Sequence, residues 1–221
     1  MNGAHGREGV NKGKKPMTPE YWRQATRELS ERDEVIHKLI QHSSGSVLNS
    51  HGDAFTSLVR SIIGQQISIK AAATVWQRLT TVAPKISPTI LLGMDGSILR
   101  NCGISLRKVT YLQDLSQYFT SGRLNEALWK DAEDEALIAE LTKVKGIGRW
   151  TAEMFLIFHM LRPNVLPLDD LGLQRAISLY YNDSQPVSRL QMVAIARPWQ
   201  PWCSVATWYL WRGLDPIPVE Y

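Results

Sequence analysis

The stretch Val144-Lys145-Gly146-Ile147-Gly148-Arg149-Trp150-Thr151-Ala152-Glu153-Met154-Phe155-Leu156-Ile157-Phe158-His159-Met160-Leu161-Arg162-Pro163-Asn164-Val165-Leu166-Pro167-Leu168-Asp169-Asp170 decides how the chain is read. Two glycines flank one apolar residue and helical spacing lies on both sides, which predicts two helices joined by a tight hairpin. A return segment with two prolines then delivers a pair of aspartates. Glycine adopts backbone angles closed to other residues, so Gly146 and Gly148 allow the amides of the turn to face outward where Arg149 opens a helix. Such amides suit a phosphate. The glycines alone favour a helix C-cap followed by a new helix. Lys143, Lys145, Arg149 and Thr151 crowd the turn with phosphate-facing residue types and favour the phosphate reading.

The distance from hairpin to aspartates follows from chain geometry. A helix from Arg149 to Leu161 is about 20 Å long, and residues 162–169, if extended, span up to about 26 Å. The return loop can therefore run back beside its helix, so that Asp169 or Asp170 starts the next helix on the hairpin's side. An aspartate there is expected as an N-cap. The same carboxylate, facing a cleft, would also stabilise the positive charge that develops on a sugar as a glycosidic bond breaks.

The 221 residues suffice for one large domain or two small ones with a real core. No run approaches the roughly 18 apolar residues of a membrane span and the start lacks a signal-peptide pattern, so the cytoplasm, or a nucleus, is the expected location. Cys102 and Cys203 are too few for a disulfide framework or an iron-sulfur site. The net charge of +4 is concentrated: residues 1–16 hold four cations against one acid, which leaves about +1 for the rest. Affinity for DNA must then come from a local basic face.

Residues 1–16, rich in glycine and lysine, read as a disordered basic tail. Helices are expected at residues 21–30 (with Thr18 as N-cap), 33–42, 53–67 and, capped by Ser68, from 69 onward, where alanines imply close packing. Shorter helices follow at 87–92 and 95–101, then one from Ser105 to Phe119, then 124–129 and 133–144 before the hairpin. After the aspartates come 171–180, 188–196 and 202–211. No stretch alternates like a strand. The fold is expected to be all-α, roughly ten helices in two lobes with a cleft between them. His159, in an apolar helix, reads as a satisfied core residue.

The hairpin residues 144–152 with Leu168-Asp169-Asp170-Leu171 resemble the helix-hairpin-helix glycosylases, whose Gly/Pro-rich loop ends in a catalytic aspartate. Ser61-Ile62-Ile63-Gly64-Gln65-Gln66-Ile67-Ser68 and Gly103-Ile104-Ser105-Leu106-Arg107-Lys108 are similar to the alkylation-repair branch, the 3-methyladenine DNA glycosylases. The resemblance covers residues 20–213 and implies a glycosylase domain over 17–221. It assigns catalysis to Asp170, five residues before Arg175, and leaves Asp169 to cap or orient the loop. It implies a base pocket of Trp150, Met154 and Trp211, with Trp208 a weaker candidate. Met154 stands where some relatives carry tyrosine, which leaves the breadth of substrate open. A wedge is implied at Gln66, and DNA contacts at Lys145, Gly146, Gly148, Arg149, Thr151, Ser105, Arg107 and Lys108. Trp150 replaces the lysine of bifunctional relatives and cannot form a Schiff base. The resemblance thus implies a monofunctional hydrolase of alkylated purines, a monomer acting on double-stranded DNA. It needs no cofactor beyond a structural monovalent cation on the carbonyls of Thr142, Val144 and Ile147. Two rivals remain: a non-catalytic protein of this fold that binds distorted DNA, and a glycosylase for deaminated purines.

Overall fold

A computed structural model describes residues 18–43, 47–50 and 52–214, so the expected tail at 1–16 lies outside the described residues. Among these there are twelve α-helices, two short 3-10 helices and no multi-residue strand. The helices are α1 (Trp22–Arg32), α2 (Glu34–His42), α3 (Ala54–Gly64), α4 (Ile69–Val82), α5 (Pro88–Gly93) and α6 (Gly96–Asn101). They continue as α7 (Leu106–Thr120), α8 (Asp134–Leu141), α9 (Arg149–Phe158), α10 (Leu171–Tyr181), α11 (Arg189–Ile195) and α12 (Cys203–Leu214).

Caps set most starts. Asp33, Asp53, Ser68, Ser87, Asp95, Ser105, Asp170 and Ser188 each turn a side-chain oxygen to an amide of the first turn. The expected cap at Thr18 is absent: α1 begins at Trp22 without a side-chain cap, and the Thr18 hydroxyl bonds Asn49 instead. The segment expected at 124–129 is a 3-10 helix, Glu126–Leu128.

Packing divides the helices into two lobes. One groups α3 to α9; the other joins α1 and α2, from the start of the chain, to α10, α11 and α12 from its end. The second lobe is filled largely by aromatics, with Trp22 edge-on to Trp208 at 5.3 Å and Trp199 fully buried. Trp208 is thereby a core residue. Both cysteines are buried and unpaired. Contrary to expectation, the alanines of α4 bury little: Leu79 is its one buried residue, and the helix lies along α3.

The return loop crosses from the first lobe to the second and is pinned along its length. Arg162 donates to the carbonyls of Trp129 (2.6 Å) and Ala132 (2.9 Å). The Val165 amide meets Ser204 Oγ at 2.9 Å, and the Ser204 amide meets the Pro163 carbonyl at 3.0 Å. A loop whose backbone groups are paired in this way holds its end in place. That end is Asp170.

Candidate active site

Asp170 is the N-cap of α10 and is buried, 8% exposed. Its Oδ1 accepts the Leu173 amide at 2.6 Å and Trp211 Nε1 at 2.8 Å; its Oδ2 accepts Trp150 Nε1 at 2.8 Å. One carboxylate is thus gripped by the first helix after the hairpin, by the last helix and by its own helix start. Three neutral donors fix its orientation, and Oδ2 keeps an acceptor direction unfilled by any described donor. The close approach requires Gly172, where a Cβ would lie 3.1 Å from both Asp170 Oδ1 and Trp211 Nε1. Trp211 is held flat by stacking on Phe158, 5.7 Å away and 11° from parallel.

Asp169 plays a different part. Of the two roles expected of it, to cap or to orient the loop, the cap falls to Asp170, and Asp169 pairs with Arg189 at the surface. Its carboxylate is about half exposed.

Trp150 and Met154, one turn apart on α9, form a wall of a cavity of about 610 Å³. The facing wall comes from α3, α4 and the turn between them, including Ile63, Gln65, Gln66 and Trp76, with the Arg60 guanidinium 4.6 Å above the Trp76 ring. This volume lies in the range of small-ligand pockets, which run from about 300 to 1,000 Å³. Gln66 is exposed and adopts φ +58.

The hairpin needs its first glycine twice over. Gly146 has φ +85, and a Cβ there would fall 2.1 Å from the Tyr111 ring of α7. Gly148 has an ordinary φ of −88 and would meet nothing within 4 Å, so the space in front of it is open. It is the N-cap of α9 and supplies no side chain, which leaves the first amides of that helix uncapped. Not every amide of the turn faces outward, however. That of Lys145 donates to Asp114 Oδ2 at 2.9 Å, and that of Ile147 to the Val144 carbonyl at 3.1 Å.

Several residues expected at phosphates are engaged inside the protein. Arg149 forms a two-pronged pair with Glu135 (2.9 and 2.5 Å), and its Nε donates to Glu153 at 2.9 Å. These contacts hold the Glu135 carboxyl below the usual carboxylate range and the guanidinium above its usual value. Thr151 is buried against Gln65 rather than turned outward. Lys108 Nζ donates to the carbonyls of Ile63 and Gln65, 2.7 Å each, and its partial burial, with Arg107 nearby, lowers its pKa. Ser105 caps α7. Lys145 and Arg107 remain exposed cations on this side.

His159 lies outside the site, stacked on Phe155 at 4.7 Å and bonded to Ser57 at 3.0 Å. Among the described residues, no cluster of His, Cys, Asp and Glu is placed to hold a metal ion, and no helix is long and apolar enough to cross a membrane.

Sequence reasoning missed Gln65, whose Nε2 donates to the Gly146 carbonyl at 2.8 Å, and it missed Gly172, Asp114 and Tyr111. Only Gln65 had a visible signal, its place beside the wedge in the Gly64-Gln65-Gln66 motif.

Comparison with known proteins agrees with this geometry. Residues 59–201 match the model of the HhH-GPD superfamily base excision DNA repair proteins. The DNA-3-methyladenine glycosylase 1 of Schizosaccharomyces pombe is 31% identical over 166 residues, 72% of each chain. The Bacillus subtilis protein YfjP is 29% identical over 190 residues, 81% of this chain and 66% of its own length, so this chain spans about two thirds of that relative. A solved structure of the Schizosaccharomyces pombe 3-methyladenine DNA glycosylase with abasic DNA superposes with a TM-score of 0.73 at 28% identity, covering 86% of this chain and 95% of that one. With its hairpin, proline loop and capping aspartate, the chain belongs to the HhH-GPD superfamily of base excision DNA repair proteins.

Proposed function

We propose that this protein is a monofunctional DNA glycosylase that releases alkylated purines of the 3-methyladenine and 7-methylguanine type from duplex DNA. The carrying observation is the Asp170 carboxylate, buried and held by two indole N–H groups from opposite ends of the site. Relatives named DNA-3-methyladenine glycosylase support the substrate class, and a relative solved with abasic DNA supports the partner.

Purines alkylated at N3 or N7 are cationic, and their bond to the sugar is already weak. Electron-rich rings attract such bases: Trp150 supplies one on the cavity wall beside Met154, and Trp211, outside that lining, is joined to Trp150 through Asp170. As the C1′–N bond breaks, its electron pair leaves with the base, which becomes neutral and needs no acid. Positive charge is left on the sugar, where the fixed Asp170 anion stabilises it. Water adds through oxygen to C1′, and its proton passes to Asp170 or to solvent. Trp150 carries no amine, so no covalent intermediate forms with the sugar and the strand is not nicked.

DNA is held by the uncapped amides at Gly148 and the start of α9, with Gly146 shaping the turn and Lys145 and Arg107 adding charge. Gln66 fills the gap left by the extruded base. The same turn is our candidate site for a monovalent cation. Thr142 is the C-cap of α8, Val144 and Ile147 follow it in the segment leading to α9, and the Val144 carbonyl has a lone pair to spare after accepting one amide. They would hold the ion, which supplies charge opposite a phosphate.

The test is single-turnover release from duplexes carrying 3-methyladenine, 7-methylguanine or hypoxanthine. Release of the methylated bases without a borohydride-trapped adduct is expected. Release of hypoxanthine alone would transfer the assignment to deaminated purines, and no release of any base would leave a DNA-binding protein without catalysis.

A further inference from the structure

The turn that carries Gln66 is held more firmly than an exposed connection requires. α3 ends at Gly64, Gln65 is its C-cap, and Gln66 takes φ +58, a conformation that residues other than glycine seldom adopt. Strain of this kind persists where neighbouring contacts over-determine the backbone. Two contacts do so here, from two different elements. From the first turn of α7, Lys108 sends its ammonium to the carbonyls of Ile63 and Gln65, 2.7 Å each. These groups close the end of α3, where a cation also meets the negative end of the helix dipole. The second contact is Gln65 Nε2 to the Gly146 carbonyl at 2.8 Å, which ties the turn to the hairpin. Arg107 Nη2 stands 3.5 Å from Gln66 Oε1, too long to restrain it, so the backbone of Gln66 is fixed while its side chain is left to project.

We propose that Lys108 and Gln65 are positioning residues for base extrusion. They lock the Gln66 turn to the hairpin, so that the wedge and the phosphate grip meet DNA as one rigid unit. Neither side chain touches the base or the sugar in this arrangement, and two of the three N–H groups of Lys108 are already spent on carbonyls. Their contribution is preorganisation: a slack turn would have to be ordered at the moment the wedge enters the duplex. The inference rests on Gln66 acting as the wedge of the proposed glycosylase.

The experiment uses the full chain and a duplex with 7-methylguanine stabilised by a 2′-fluorine, with 2-aminopurine as the neighbouring base to report extrusion by fluorescence. The variants are Lys108→Met and Gln65→Leu, the second carrying the same comparison should the first fold poorly. Each is expected to keep wild-type affinity and salt dependence and to slow extrusion of the paired lesion, Lys108→Met about tenfold through loss of its charge-assisted bonds to two carbonyls and Gln65→Leu about fivefold through loss of a neutral hydrogen bond. With the lesion in a mismatch, where extrusion costs less, the deficit should shrink to about twofold. A shallower salt dependence, by about one released ion, would overturn the proposal by making Lys108 a phosphate contact. Equal losses on paired and mismatched lesions with a lowered melting temperature would overturn it as well, since general stability would then explain them. Extrusion by the wild type on this duplex, with no base release from the same duplex lacking the fluorine, would remove the enzymatic reading and leave this inference standing; no extrusion by the wild type would remove the wedge and this inference together.

Discussion

Two carboxylates are buried near Trp150, Asp170 bonded to its indole and Glu153 three residues further along α9, and the protein treats them differently. Asp170, 8% exposed, has three neutral donors and, among the described residues, no cation within bonding distance. Glu153, 3% exposed, has one oxygen on the Arg149 guanidinium and another without a partner among the described residues. Burial holds the Glu153 carboxyl above the usual carboxylate range in spite of Arg149. Indole N–H groups fix the direction of an anion without cancelling its charge, whereas a guanidinium cancels it. The charge left available for a cationic sugar is therefore at position 170, and Glu153 serves to anchor Arg149 between Glu135 and the helix.

Exchanging each acid for its amide separates the two roles. Asp170→Asn is expected to lower single-turnover release of 7-methylguanine by about 10²–10³-fold, the usual cost of removing one electrostatic stabiliser of a transition state. Asparagine keeps the N-cap through its oxygen but turns an N–H2 donor toward the Trp150 indole donor, so the melting temperature should also fall. Glu153→Gln should leave release within about twofold and show its effect on stability against pH. A carboxyl whose pKa is raised by folding binds more protons folded than unfolded, so wild-type stability falls as pH rises from the ordinary value of 4.5 through the raised one. Melting temperatures recorded across that interval should slope downward for the wild type and lie flatter for Glu153→Gln. An equal loss of release in both amide variants would erase the distinction between the two sites.

Only the Asp170 side of this contrast is legible in the sequence. The proline loop and its chain length lead to Asp169 or Asp170, the family resemblance selects Asp170 through Arg175, and the helices follow from apolar spacing and capping residues. The engagements that redirect polar and charged residues do not. Lys108, Arg149 and Thr151 all have phosphate-facing side chains, yet the fold brings carbonyls, Glu135 and Gln65 against them, over separations for which no local pattern exists. The roles of Asp169 and Asp170 at the helix start are separated by a single residue, and only the backbone turn decides which one caps. Gly172 reads as an ordinary helix residue until Trp211, from the far end of the chain, is seen to pack over it. The alanines of α4 mislead in the opposite sense, since small residues permit close packing without requiring a partner.

The central claim is that Trp150 acts on the reaction through the carboxylate it holds. Single-turnover release of 7-methylguanine should therefore be measured for Trp150→Phe, which keeps an aromatic face and removes the donor, in the wild-type and Asp170→Asn backgrounds. With Asp170 present the substitution is expected to cost about tenfold, as for a hydrogen bond to a charged group, and in the Asp170→Asn background less than about twofold. The same tenfold loss in both backgrounds would contradict the account, because Trp150 would then serve the base alone and the grip on Asp170 would be incidental.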